Sequence, residues 1–578
     1  MAIMGLSSKK SSAWAIWMIA SPTLLIIVVI IVTYHDPYLG KFGGFVKAKF
    51  LGKDGQNVTY IGAAAAPRES IEASCVTSSS DVLITSPQDL KNHSISQSNI
   101  ANYTADVIDE KTRHGLLAPG FDEESCISRY ESHLLRKASP YKPSQYLLSK
   151  LRNYENLHRK CGPHKKLYNS TMRKLSKSKH VSVTDNKCRY IVWKGANGLG
   201  NRMISLASTF LYAVLTDRVL LVEFSSDMIG LFCQPFTNSS WYLPQDFPYK
   251  DRLAQLPRFE QFSDIKINAT HGGNKMPLPP FVFLNLELGG GDRMKYFHCD
   301  RSQSLLKKVP VLILGSDQYF VPSLFMVPSF KQEVEFMFPQ HEAVFHFLGQ
   351  YLFSPANEPW GLIVRFYEAY MAKADQRIGL QIRVFHPELT PIQTIMDQLL
   401  SCVLNNDVLP HVADNKSERY LVQNKTSEAV LVASLYKDFT DNLKAMYWAR
   451  PTVTGEVVGV YQASYEGQQI FGSANHNMKA LAEMYLLSLC DVLVTSGEST
   501  FGYVAQSLGG LTPWIMMKTV GKKARKPACR RALSMEPCFH FPPRYSCETK
   551  AKIDNISSVF PYMKPCEDRH EGVKLVDI

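Results

Sequence analysis

Apolar and polar positions along this chain alternate in a repeating order of short strand-like runs and longer helix-like runs. Arg189 through Lys194 is an apolar strand pattern, followed by the loop Gly195-Ala196-Asn197-Gly198-Leu199-Gly200-Asn201-Arg202. A helix-like run then reaches Leu215, and a second strand pattern spans Val219 to Phe224. This strand, glycine loop, helix, strand order predicts a parallel sheet, which the apolar runs Phe281 to Leu286 and Val311 to Leu314 extend. A second alternation begins at Ile378 to Phe385 and continues with strand-like Ala429 to Ala433, helix-like Asp438 to Ala449 and strand-like Val457 to Tyr461. Met478, Leu481, Ala482, Tyr485 and Leu486 then recur at helical spacing, and Asp491 to Thr495 is a buried-strand pattern. With a break near residues 340–370, the expectation is an α/β protein with two Rossmann-like domains facing a cleft. Ligands in such folds lie at the carboxyl ends of the strands.

The flanks follow other rules. Residues 11–33 form an uncharged apolar segment preceded by Lys9 and Lys10. Its length matches the ~20 residues that span a bilayer, and the preceding lysines place residues 1–10 in the cytosol. The expectation is an uncleaved transmembrane signal anchor with the remainder lumenal. Residues 34–120 are rich in Ser, Thr, Asn, Gly and Ala without sustained periodicity, as in a flexible stem. From Phe121 to Lys179, Leu and Tyr alternate with Lys and Arg as in amphipathic helices ahead of the core. The expected organisation is therefore a first domain over 121–360 and a second over 361–578, the latter ending in a cysteine-rich tail.

Composition narrows the class. A chain of 578 residues with 45% hydrophobic and 20% charged residues is globular. The net charge of +12 gathers between Arg136 and Lys179, where Glu155 is the only acid. That run is read as a solvated helix face; with an anchor and Asn-x-Ser/Thr sequons at Asn57, Asn92, Asn102, Asn169, Asn238, Asn268, Asn415, Asn424 and Asn555, nucleic acid is not an expected partner. The twelve cysteines lack close CxxC pairs and fit disulfides in an oxidising compartment. Two bridges are expected among Cys529, Cys538, Cys547 and Cys566, with open connectivity, while Cys490 is expected to be a buried free thiol.

Candidate chemistry sits at strand ends. Gly198 and Gly200 allow close backbone approach to a ligand, and the helix that follows offers unpaired N–H groups to an anion. Asn201 and Arg202 stand where that helix begins; the alternative role for Arg202 is a salt bridge to a neighbouring acid. Arg383 lies near the end of an apolar strand, where a guanidinium is costly to bury unless it meets an anion such as a phosphate. Ser499, Thr500, Phe501, Gly502 and Tyr503 follow another strand, a composition suited to binding phosphates and flanking a base; Ser499 equally suits a helix cap. No Asp-x-Asp pair is present, so no metal is expected on a diphosphate. Asp300 is the candidate general base, with a turn or cap role as its plain alternative.

Three blocks together resemble the plant xyloglucan-type α-1,2-fucosyltransferase family: Gly198-Leu199-Gly200-Asn201-Arg202, Ile378 through Phe385, and Thr495 through Gly510. The resemblance extends through Asn285 to Asp292, Asp317 to Phe325 and Ser534 to His540, covering roughly residues 185–570. It implies a type II Golgi membrane enzyme of two Rossmann-like domains in the GT-B arrangement. Such an enzyme moves fucose from GDP-β-L-fucose, with inversion and without metal or cofactor, to a galactose of xyloglucan. The resemblance also implies that Arg383 binds the donor diphosphate, that Asn201 and Arg202 order the donor pocket, and that residues 499–503 line the nucleotide side. Gly497-Glu498 and His386 depart from the family pattern. Competing expectations are transfer to arabinogalactan protein glycans, a protein O-fucosyltransferase, and a catalytically silent glycan-binding scaffold that Glu498 would favour by repelling phosphates. A homodimer is compatible with the anchor.

Overall fold

The computed structural model describes residues 110–177, 188–249, 255–259, 279–287, 296–414, 426–519 and 522–578. The expected anchor, the stem as far as residue 109, and the sequons at Asn57, Asn92, Asn102, Asn268, Asn415 and Asn424 lie outside them. Among the described residues no helix is long and apolar enough to cross a membrane.

Two mostly parallel sheets organise the fold. The first holds β1 (Tyr190–Gly195), β2 (Val219–Glu223), β3 (Phe281–Leu286) and β4 (Val311–Ser316) in the order β2-β1-β4-β3, all parallel. Ile191 sits beside Leu220 on one side and Leu312 on the other. These near-continuous apolar strands suit a sheet covered on both faces, and Tyr190 through Trp193 are wholly buried. The second sheet holds β5 (Gln376–Gln381), β6 (Ser427–Ala433), β7 (Val457–Gln462), β8 (Val492–Ser496), β9 (Trp514–Met516) and β10 (Cys529–Arg531). Its order is β10-β9-β8-β5-β6-β7, with only β10 antiparallel. This is the doubly wound dinucleotide-fold order, whose switch point falls between β5 and β8. In the first sheet the chain likewise changes direction between β1 and β4.

One buried apolar cluster joins the sheets. It combines Ile191, Leu220 and Leu312 with Leu431, Leu493 and Val504, through the helices Leu199–Leu215, Val344–Leu352, Ala474–Ser488 and Thr500–Gly509. Ahead of β1, Gln145–Cys161 and Lys166–Lys177 are the expected amphipathic helices. In the latter, Tyr168, Thr171, Met172 and Leu175 are buried while Lys166, Arg173, Lys174 and Lys177 are exposed, so this part of the basic run is a solvated face.

The cysteine tail differs from expectation. Within it only Cys538–Cys566 is a bridge; Cys529 pairs with Cys402 and Cys547 with Cys299, and Cys126–Cys233 and Cys161–Cys188 brace the first half. The tail is thus stapled to the body and not to itself. It also inserts Glu536, fully buried, whose carboxyl meets Tyr319 Oη and accepts from Phe345 N–H at 2.7 Å. Cys490 is a buried free thiol whose pKa burial raises.

Burial pushes the Glu536 pKa from 4.5 up to about 8, and the His158 and His346 pKa values from 6.5 down to about 4. The folded state therefore holds a proton on Glu536 that the unfolded chain releases, and its contribution to stability is lost as pH rises from 4.5 through about 8. The histidines act oppositely, losing stability as pH falls below 6.5. Above pH 6.5 only the carboxyl trend persists. Tm should fall between pH 6.5 and 8, and less steeply in Glu536→Gln; equal slopes in calorimetry would remove Glu536 as the cause.

Candidate active site

The two switch points open onto the same cavity, about 420 Å³ in volume. From the first sheet come the loop after β1 (Asn197, Gly198, Gly200, Asn201) and Asp317 just after β4; from the second come Arg383 after β5 and Ser499, Thr500 and Phe501 after β8. Two helix N-termini meet at its floor, Leu199–Leu215 with Gly198 at the cap position and Thr500–Gly509 with Ser499. The cap alternative for Ser499 is half met: it occupies the N-cap position, and its side chain makes no capping bond. Gly200 is required by this meeting, since a Cβ there would lie 2.8 Å from Thr500 C and 2.9 Å from Phe501 N. Thr500 Oγ1 donates to Asn201 Oδ1 at 3.0 Å across the same junction.

Arg383 is the distinctive cation. It lies two residues beyond the end of β5, since the strand stops at Gln381 and not at Phe385. Its N–H donates to Ser496 Oγ at 2.9 Å, which ties the ends of β5 and β8, and its guanidinium donates to Gln469 Oε1 at 3.0 Å. Among the described residues no carboxylate pairs with it, and burial lowers its pKa. Other cations around the cavity are paired. Lys479 bonds Glu466 at 2.6 Å, and Arg569 bonds Glu498 at 3.1 Å. Arg383 also lines a smaller adjoining cavity of about 180 Å³ with Phe385, His386 and Lys518.

Several expected site residues stand behind the wall. Arg202 is turned to Asp227 at 2.9 Å, and its Nε donates to Asn197 O at 2.7 Å, so the salt-bridge alternative holds and the arginine steadies the glycine loop. Asp227 also accepts from Asn477 Nδ2 at 2.9 Å, linking the two halves. Burial raises the Asp227 pKa, but hydrogen bonds from Ser225 and Arg202 overcome this and leave it below the usual value. Gly502 packs against Thr495 and Gln381, while Tyr503 donates to Asp568 Oδ2 at 2.6 Å and meets His540 Nε2 at 3.1 Å. Helical geometry explains this: Phe501 faces the cavity, and the next two residues turn toward the sheet and the tail.

Asp300 is not among the cavity-lining residues. It sits in the first turn of the helix Asp300–Leu306, and its Oδ1 accepts from Ser329 N–H at 3.1 Å in the first turn of the helix Pro328–Met337, so its role is that of a cap to a neighbouring helix. Four acids line the cavity: Glu466 and Glu498 are paired with cations, Glu483 accepts from Ser464 Oγ, and the fourth, beside the glycine loop, is Asp317, which is 2% exposed. Asn197 Nδ2 donates to its Oδ2 at 2.7 Å and Gln318 Nε2 to its Oδ1 at 2.9 Å. Its position directly after the Val311–Ser316 strand was the signal that could have found it. His540, Phe541 and Arg569 also line the cavity, and only the tail's folding back brings them there. Two clusters of metal-ligand residue types occur among the described residues, His298/Cys299/Cys547 and Cys538/Cys566/Asp568, but their sulfurs are consumed in disulfides.

The xyloglucan fucosyltransferase family model matches residues 84–548. The chain belongs to this family. It is 48% identical over 474 residues to a galactoside 2-alpha-L-fucosyltransferase of Pisum sativum, covering 82% of this chain and 83% of the relative. To the Arabidopsis thaliana enzyme of the same description it is 48% identical over 488 residues, covering 83% and 84%. A solved structure of an Arabidopsis thaliana FUT1 mutant in complex with GDP matches with a TM-score of 0.75 at 48% identity, over 81% of this chain and all of that one. The protein is accordingly a glycosyltransferase of the fucosyltransferase type.

Gly200→Ala forces one helix start against another backbone, an overpacking that costs about 1–3 kcal/mol. Thermal unfolding of this variant should shift down accordingly and nucleotide affinity should fall with it; a neutral Gly200→Ala would mean that the two helix starts are free to part.

Proposed function

We propose that this fucosyltransferase moves L-fucose from GDP-β-L-fucose to a galactose hydroxyl of xyloglucan or a related cell-wall glycan, with inversion and without a metal ion. The observation that carries the reading is Arg383. It is a partly buried guanidinium without a carboxylate partner among the described residues, at the switch point of a dinucleotide-type sheet and opposite two helix N-termini. A diphosphate is the ligand that suits this arrangement. The GDP in the related FUT1 structure supports the same donor.

In this mechanism the acceptor hydroxyl oxygen forms a bond to the fucose anomeric carbon as the bond to the GDP oxygen breaks on the opposite face. Arg383 and the N–H groups at Gly198–Gly200 and Ser499–Phe501 take up the charge that develops on the diphosphate. Asp317 accepts the hydroxyl proton, directly or through water, and its amide partners Asn197 and Gln318 keep it oriented. Arg202, Gly502 and Tyr503 support the pocket without touching the donor.

The silent-scaffold alternative loses its footing. Glu498 is held by Arg569 at 3.1 Å and Lys518 at 3.4 Å, so its charge is balanced where it adjoins the phosphate region. The exposed sequons Asn169, Asn238 and Asn555 are compatible with a lumenal address. We place the enzyme in the Golgi membrane as a single-pass type II protein, with residues 121–360 and 361–578 as the acceptor-side and donor-side domains of a GT-B arrangement.

GDP release from GDP-fucose tests this with galactosylated xyloglucan, arabinogalactan glycans and buffer as the arms. Release with xyloglucan should persist in EDTA and drop about 10²–10³-fold in Arg383→Ala. Release only with arabinogalactan glycans would reassign the acceptor, and loss in EDTA would overturn metal independence. Separately, Asp317→Asn should lower kcat with little change in the donor KM, whereas Asp300→Asn should retain turnover; the reverse pattern would restore Asp300 as base.

A further inference from the structure

Residues 464–473, between β7 and the helix Ala474–Ser488, form a strap along the mouth of the cavity. Its ends are pinned. Ser464 Oγ donates to Glu483 Oε1 at 2.7 Å, and Gly467 N–H donates to Leu435 O at 2.8 Å. Glu466 is held by His476 and Lys479, and Ser473 Oγ accepts from His476 N–H at 3.2 Å. Burial pushes the Glu466 pKa up, but hydrogen bonds from Lys479 and His476 more than offset this and keep it a carboxylate.

The tip is built differently. It is bounded by Gly467 and Gly472, with φ of +72° and +76°, and nothing lies within 4 Å of where either Cβ would stand. These are positions where the backbone can turn without steric resistance from a side chain. Between them, Gln469 reaches across the mouth. Its Oε1 accepts from Arg383 at 3.0 Å, and its Nε2 lies 3.0 Å from where a Cβ on Gly198 would stand. One neutral carboxamide thus bridges the two groups on opposite walls that a diphosphate would claim. The strap also carries three large apolar side chains in water, Tyr465 at 61%, Ile470 at 42% and Phe471 at 68% exposed, and Phe471 lines the cavity itself. Exposed apolar side chains grouped at the rim of a site mark a surface for a partner.

We propose that residues 464–473 are the acceptor-receiving strap of this enzyme: Gln469 latches it to Arg383 while the cavity is empty, the donor diphosphate displaces the latch, and Phe471 with Tyr465 then stacks on the sugar rings of a polysaccharide acceptor. The inference rests on the GDP-fucose reading above. It commits to a glycan occupant because the surface is continuous with the cavity in which the fucose must meet its acceptor. Flat aromatic faces fit the C–H faces of pyranose rings. Donor binding and strap release are linked through one hydrogen bond, so the donor binds first and the polymer second.

The test measures GDP affinity and the acceptor KM of the full chain for wild type, Gln469→Ala, Gln469→Glu, Phe471→Ala and Phe471→Tyr. Removing the latch should tighten GDP by about three- to tenfold, and replacing it with a carboxylate should weaken GDP by about tenfold or more, because Glu then pairs with Arg383. Phe471→Ala should raise the KM for xyloglucan polymer about tenfold while GDP affinity stays at the wild-type value, and Phe471→Tyr should restore that KM. GDP affinity that falls or stays constant in Gln469→Ala would overturn the latch. An unchanged polymer KM in Phe471→Ala would overturn the acceptor face. A wild-type chain that binds no GDP would overturn the donor reading itself, and this inference with it.

Discussion

The close meeting of two helix starts, Leu199–Leu215 and Thr500–Gly509, is the constraint on which the rest of the structure depends. Each follows a strand at the switch point of its own sheet, and they approach until the Gly200 backbone lies against Thr500 and Phe501. A side chain at position 200 would hold the sheets apart, and two half-sites would remain. With glycine there, the loop after β1 and the turn after β8 become one cavity floor. The contact is reinforced by the Asn201–Thr500 hydrogen bond and by Asp227, which receives Arg202 from its own half and Asn477 from the other. A carboxylate that answers two donors in this way fixes relative position as well as charge.

The electrostatic character of the cavity follows from that geometry. The sheet ends bring together cations and acids that mostly neutralise each other, Lys479 with Glu466 and Arg569 with Glu498. Arg383 stands apart, supported at its backbone by Ser496 and at its guanidinium by a neutral amide. Both helix starts direct unpaired N–H groups, and the partial positive charge of their dipoles, to the region where a diphosphate fits. Below this layer Tyr503, Asp568 and His540 form a hydrogen-bonded base contributed largely by the tail. The disulfides Cys299–Cys547 and Cys402–Cys529 fasten that tail to both halves of the chain.

Much of this was legible in the sequence because it rests on local pattern. Phe281–Leu286 and Asp438–Ala449 coincide with their hydrophobic periods, and Arg383 was conspicuous as a charge inside an apolar run. What periodicity could not supply was anything decided by long-range packing. The three-residue strands β9 and β10 and the paired tail strands Met563–Pro565 and Val573–Leu575 are too short to show a period, and they form because the chain docks on an existing sheet edge or on itself. Cysteine spacing could not distinguish bridges within the tail from bridges to Cys299 and Cys402. Arg202 and Tyr503 looked like ligand residues by their place in a motif. Which face of a helix meets the cavity is set by the partner helix, and both side chains proved to point into supporting networks. Gln469 carried no sequence signal at all, since an amide in a polar loop has no pattern until Arg383 stands opposite.

The central claim is that the paired switch points form a site for the diphosphate, with Arg383 as its principal cation. Equilibrium binding of GDP, GMP and guanosine to the full chain at one ionic strength tests this most directly. The account predicts that GDP binds far more tightly than guanosine, with GMP between them, because most of the recognition is directed at phosphate oxygens. Guanosine binding as tightly as GDP would contradict it and move recognition to the base.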